Sequence, residues 1–202
     1  MHAVSIRSSF VALFAVYAVL GCGSSTTSGT GAAGTGGTGG GGASGGGDPT
    51  AFGNTYKISD NVEMPGWTQD PTTPLWTGRG TDLSSIIDGG NVPYLQHGCL
   101  LAMYQSLVGP DPQICTLVAM DFGTAANATS MFTYEQQLTS ADVPIPGYDA
   151  SVAIGYSVLA GITAYAHINA SYFEVQLSGY TDNASAAQVA AQFLNVMKTK
   201  TK

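Results

Sequence analysis

Positive charge is what this chain has least of. Its 202 residues carry six Lys and Arg against thirteen Asp and Glu, and only 9% of positions are charged. Between Phe52 and Met197 the basic residues are Lys57 and Arg79 alone, while Lys198, Lys200 and Lys202 gather in a terminal KTKTK. An acidic body repels phosphate, which argues against nucleic acid as a partner. The terminal lysines suit the carbonyl end of a helix. Cysteine is equally sparse, at three residues, with no CxxC pair. HExxH, P-loop and GxSxG patterns are also missing, which removes the commonest signatures of zinc, nucleotide and serine-hydrolase chemistry. His2, His97 and His167 are scattered. No apolar run approaches the roughly 20 residues needed to cross a bilayer as a helix.

What is present at the N-terminus is a short apolar run, Phe10 to Leu20, after a single Arg7 and before Gly21-Cys22. That layout is an export signal, too short for a span. The residues VLGC resemble the lipobox of bacterial lipoproteins. The resemblance implies that Cys22 carries the lipid, that Met1–Gly21 is removed, and that the membrane is the first partner, since two or more acyl chains anchor stably. From Gly23 to Gly47 only Gly, Ser, Thr and Ala occur. Such a segment offers no core to offset its ordering entropy, and is expected as a disordered tether with an end-to-end distance of about 27 Å. Spacers of this kind resemble those of Gram-negative lipoproteins, and the absence of aspartate after Cys22 resembles outer-membrane sorting. The chain thus divides into a signal (1–21), a lipidated Cys22 with its tether (22–48) and one globular domain (49–202), long enough for a core of its own.

Two hairpins can be registered from pattern. In GITAYAHINASYFEVQLSGY a turn at Asn169-Ala170 sets Ala166 opposite Phe173, Ala164 opposite Val175 and Ile162 opposite Leu177. The other face pairs His167 with Tyr172, Tyr165 with Glu174 and Thr163 with Gln176, and is expected to face solvent. In CLLAMYQSLVGPDPQICTLVAMDF a turn at Gly109–Pro112 sets Leu107 by Ile114, Met103 by Val118, Leu101 by Met120 and Ser106 by Cys115, with both faces buried. That register holds Cys99 more than about 20 Å from Cys115, so two free thiols are expected. Thr124 can cap a helix with Ala128, Phe132 and Leu138 inward, and Asn183 one with Ala186, Val189, Ala190, Phe193, Val196 and Met197 inward. The expected fold is α+β: an antiparallel sheet of about five strands with helices mainly on one side.

The segment TDLSSIIDGGNVPYLQHGC reads as two short helices. Thr81 or Asp82 caps the first, Gly89 ends it, Asn91 caps the second with Pro93 in its first turn, and Gly98 releases the chain. Asp88, Tyr94 and His97 have no such structural duty and are the candidate ligand-binding residues, with Trp67 and Trp76 as aromatic lining. Together MPGW, TDLSSIIDGGNVPYLQHG and AMDFGTAANATSMF resemble the bacterial extracytoplasmic family called domain of unknown function 6599. Gly66-Trp67, Ile87-Asp88-Gly89-Gly90, Tyr94, Gly98, Asp121 and Ala126 carry the match. Asn91 and His97-Gly98-Cys99 depart from it. The resemblance implies an exported fold, not a reaction.

No metal site is expected from Asp70, Asp82, Asp88 and His97, whose spacing fits no ligand pattern, and no cofactor is expected. The composite expectation is a membrane-anchored lipoprotein that binds an envelope ligand or protein without catalysis. The alternative is an envelope hydrolase with its site around Asp88 and His97.

Overall fold

The strongest alternation in the sequence forms the centre of the sheet. Strands β6 (Gly161–Ile168) and β7 (Ser171–Ser178) pair in the expected register, Ile162 with Leu177 through His167 with Tyr172, and Asn169 in the turn takes a left-handed φ of 53°. The structure, a computed structural model, describes residues 47–87 and 90–201. Cys22, the signal, nearly all of the tether and Asp88 therefore lie outside the described residues.

The second hairpin joins β3 (Leu101–Val108) and β4 (Ile114–Asp121) but is shifted by one residue from expectation: Leu107 faces Cys115 and Met103 faces Ala119. The loop takes in Gln113, whose N–H donates to the Pro110 carbonyl while Gly109 N–H donates to the Gln113 carbonyl. One added loop residue moves every β4 side chain to the other face. Leu117 and Ala119 consequently join Met103 and Leu107, and Val118 and Met120 join Ala102. Cys99 and Cys115 are free, buried and in cores on opposite faces; burial, then the Asp121 charge, pushes the Cys99 thiol up to about 12, and burial pushes the Cys115 thiol well above its ordinary value.

The sheet has seven strands rather than five. Its order is β1-β3-β4-β7-β6-β5, all antiparallel, with β1 (Thr68–Gln69) and β2 (Trp76–Arg79) sharing the outer edge of β3, and β5 (Ala153–Val158) at the other end. Helices cover both faces, not mainly one. On one face lie α1 (Pro49–Tyr56) and α4 (Asn183–Lys200). The sequence pattern had not marked α1; it starts at Asp48, whose carboxylate accepts from Thr50 N–H. Asp182, not Asn183, caps α4, accepting from the Ser185 N–H and hydroxyl. Buried Gln105 fixes the chain after α1 to this face by exchanging two hydrogen bonds with the Ile58 backbone, at 2.8 and 2.9 Å. Lys200 donates to Glu63 and to the Lys57 carbonyl, both at 2.9 Å. Partial burial works against the Glu63 anion, but the Lys200 hydrogen bond and charge and the Ser59 N–H outweigh it and hold its pKa low.

On the opposite face lie a 3-10 turn (Gly80–Ser85), α2 (Val92–Gln96) and α3 (Ala125–Leu138). Thr124 caps α3 as its position suggests. Ala128, Met131 and Phe132 face inward, whereas Leu138 is exposed at the frayed end. The 3-10 turn is held by the Asp82 carboxylate, which accepts from the Arg79 N–H. Its Leu83 is fully buried.

Candidate functional site

The face under α3 is richer in tyrosine than the face under α1 and α4. Cross-strand pairing lays one row over six strands: Trp76, Tyr104, Val118, Glu174, Tyr165 and Ile154. Beside it, Tyr172 lies between Met120 and His167. The expectation that Thr163, Tyr165 and Tyr172 face water fails for a physical reason. Tyrosine hides a large apolar ring behind a polar label, and all three are buried. Tyr165 and Tyr172 stack with centroids 5.9 Å apart, and Tyr94 from α2 approaches Tyr172 at 6.5 Å. The hydroxyls of Tyr156 and Tyr165 are 3.2 Å apart.

Into this aromatic layer two carboxylates are set. Glu174 comes from β7, and Glu135 from α3, one turn beyond the buried Phe132 and on the same side of the helix. Burial, then the neighbouring charge of Glu135, pushes Glu174 up to about 8. Burial alone pushes Glu135 up to about 7. The charge felt at Glu174 is that of Glu135, with no cation opposing it. Burial and then these same carboxylates push the tyrosines Tyr94, Tyr165 and Tyr172 upward. The Tyr172 hydroxyl is fully buried without a hydrogen-bond partner. A buried polar group left alone costs roughly 1–3 kcal/mol. Both glutamates stay partly exposed, which keeps the pair within reach of solvent.

The five residues singled out from sequence do not converge. Trp67 is buried on the α1–α4 face, edge-on to Phe193 at 5.1 Å. Trp76 and Tyr94 lie on the α3 face. The Trp76 ring lies over Gly78, where a Cβ would come within 2.5 Å of it; glycine there makes room for the indole. His97 turns away from the tyrosines: Nδ1 lies 2.9 Å from the Ser130 hydroxyl and the ring packs against Tyr134 at 5.4 Å. Asp88 is outside the described residues. Glu174 was missed because it was read as a solvent-facing strand position, and Glu135 because nothing in the helix pattern singles it out. A signal was available: an acid alternating with tyrosines on one strand face, in a domain with almost no cations.

Two shallow clefts border α3. One, of about 570 Å³, is lined by groups including His97, Ser130 and Tyr134. The other, of about 400 Å³, holds Thr129, Tyr148, Asp149, His167 and Lys198. His167 is held firmly there: Nε2 is 2.8 Å from the Ser151 carbonyl, which can only accept, so Nε2 donates, and Nδ1 lies 3.3 Å from the Thr129 hydroxyl. Among the described residues no cluster of three or more His, Cys, Asp or Glu could hold a metal ion, and no helix is long and apolar enough to cross a membrane.

No family model matches the chain, and no curated protein matches it. Among solved structures it is similar to the extracellular domain of PknH from Mycobacterium tuberculosis, at 12% identity over 66% of this chain and 81% of that one, with a TM-score of 0.40.

Proposed function

We propose that this is a bacterial lipoprotein, anchored in the outer membrane through Cys22, whose domain binds a ligand in the cell envelope without transforming it. The observation that carries the binding reading is the α3 face: a partly exposed row of Trp76, Tyr104 and Glu174 beside Glu135, with an unpartnered hydroxyl beneath. Aromatic rings give large contact area with few rotors to freeze, and burial pushes both acids up, to about 7 and about 8, a cost that folding alone does not require. The VLGC box and the Gly/Ser/Thr segment support the anchoring.

Two measurements test it. Replacing Cys22 by Ser moves the chain from the membrane to the soluble fraction; retention in the membrane overturns the lipid anchor. Thermal-shift screening of the full chain against sugars, peptides, amines and small metabolites gives a ligand that raises the melting temperature by mass action. Trp76→Ala, still folded, abolishes that rise. A ligand whose effect survives Trp76→Ala binds elsewhere and overturns the assignment to this face.

A further inference from the structure

We propose that the cleft at the start of α3 binds a free α-amino acid, its carboxylate on Lys198, its ammonium on Asp149 and its side chain against Tyr148, Val152 and Ile168. This site is separate from the face that carries Trp76 and goes beyond the reading above.

The cleft lies at the β6–β7 turn, where α3 of one sheet face and α4 of the other both reach it. Thr129 lines it from α3, Lys198 from α4, and the loop bearing Tyr148 and Asp149 closes it beside His167. Its volume, about 400 Å³, falls within the usual range for small-molecule sites, roughly 300–1,000 Å³.

The charges on its walls set the class of ligand. Lys198 and Asp149 line the same cleft, yet among the described residues neither forms an ion pair, with the other or with any third group. The Ser151 N–H, 2.8 Å from Asp149 Oδ1, holds that carboxyl below its usual range, so it is an anion at neutral pH. A simple anion drawn to Lys198 is opposed by Asp149, and a simple cation drawn to Asp149 is opposed by Lys198. A small zwitterion, with a carboxylate and an ammonium close together, gives each wall a charge-assisted hydrogen bond. Tyr148, Val152 and Ile168, all half-buried, supply the apolar surface beside it.

The walls are also fixed in advance. The Tyr148 hydroxyl donates to Asn195 Oδ1 at 3.1 Å. The Asp149 carbonyl accepts from the Val152 and Ala153 N–H groups at 2.9 and 3.0 Å. His167 ties the Ser151 carbonyl to Thr129 of α3 with both ring nitrogens, which makes it a support of the wall rather than a ligand contact. A site ordered before binding loses less affinity to ordering.

The test is isothermal calorimetry of the full chain at pH 7 with L-leucine and L-phenylalanine. Each is run beside its amide, which lacks the carboxylate, and its N-acetyl form, which lacks the ammonium. The expected result is saturable binding of at least one amino acid, with both its derivatives at least tenfold weaker. Lys198→Gln weakens the amino acid at least tenfold and erases its advantage over the amide. Asp149→Asn does the same and erases the advantage over the N-acetyl form. Lys198 is exposed and Asp149→Asn keeps an oxygen for the Ser151 N–H, so both variants are expected to fold; unliganded melting confirms it. Trp76→Ala leaves the binding unchanged. No saturable heat with either amino acid, derivatives that bind as well as the amino acid, or undiminished binding in folded Lys198→Gln or Asp149→Asn would overturn the proposal. Amino-acid binding lost in folded Trp76→Ala would assign the ligand to the other face and overturn this site.

Discussion

The two faces of this sheet use the same seven strands differently. Under α1 and α4 the packing is mostly Leu, Ile, Val, Ala, Met and Phe, with Trp67, Tyr56 and Tyr180 among them, and the polar groups that enter are paired: the Gln105 amide is hydrogen-bonded on both sides, and the Tyr56 hydroxyl lies 3.0 Å from that of Ser171. Under α3 the packing is tyrosine, with two acids and an orphan hydroxyl. The first face is consistent with folding alone. The second gives up stability, and groups that cost stability without local compensation are where function is to be sought.

The contrast can be broken at its ends. Phe193→Ala empties a fully buried site on the aliphatic face beside Trp67 and is expected to cost about 3–5 kcal/mol, read from the denaturant midpoint. A loss below about 1 kcal/mol would mean that this face is not the main source of stability. On the other face Glu174→Gln is expected to stabilise at pH 8, read from the denaturant midpoint. The sign follows from proton binding. Folded Glu174 and Glu135 keep their protons to about 8 and 7, whereas the unfolded chain releases them near 4.5. Between pH 4.5 and 8 the unfolded state binds fewer protons than the folded one, so stability falls as pH rises. The other titratable groups on this face are Tyr94 of α2, Tyr104 of β3, Tyr156 of β5, Tyr165 and His167 of β6 and Tyr172 of β7; burial pushes Tyr94, Tyr165 and Tyr172 upward, away from this range. Glu174→Gln separates the share of the acids from that of His167. Glu63 and Asp70, whose pKa values are lowered, act oppositely and withdraw stability below about pH 4. Parent melting should thus peak between about pH 4 and 6, and Glu174→Gln should flatten its alkaline side; a parent curve rising from pH 5 to 8 would remove the charged pair from the account. The smallest effect is Tyr172→Phe. Deleting an unpartnered hydroxyl is expected to be neutral or stabilising by up to about 1 kcal/mol, and a loss greater than that in thermal melting would reveal a partner.

Sequence alternation recovered the β6–β7 hairpin residue for residue, because its turn is short and one face is plainly apolar. It misplaced β4 by one residue, because Gly109-Pro110-Asp111-Pro112 advertises a turn without declaring that Gln113 belongs to it. The helix cap at Thr124 was legible; that at α4 was not, since Asp182 and Asn183 are both good acceptors and only the Ser185 contact separates them. The site was least visible. Trp76 and Tyr94 were marked, but what makes the face unusual is the meeting of Glu135 with Glu174, thirty-nine positions apart in the chain. Local pattern cannot register such a pair, and polarity scales file tyrosine and glutamate alike as outward-facing.

Both chain-proximal helices, α1 at the start of the domain and α4 at its end, lie on the aliphatic side of the sheet, and Lys200 ties the end of the second to the segment following the first. The two ends of the described domain are thus fastened to each other, so that a cut in α4 before Lys200 frees both at once.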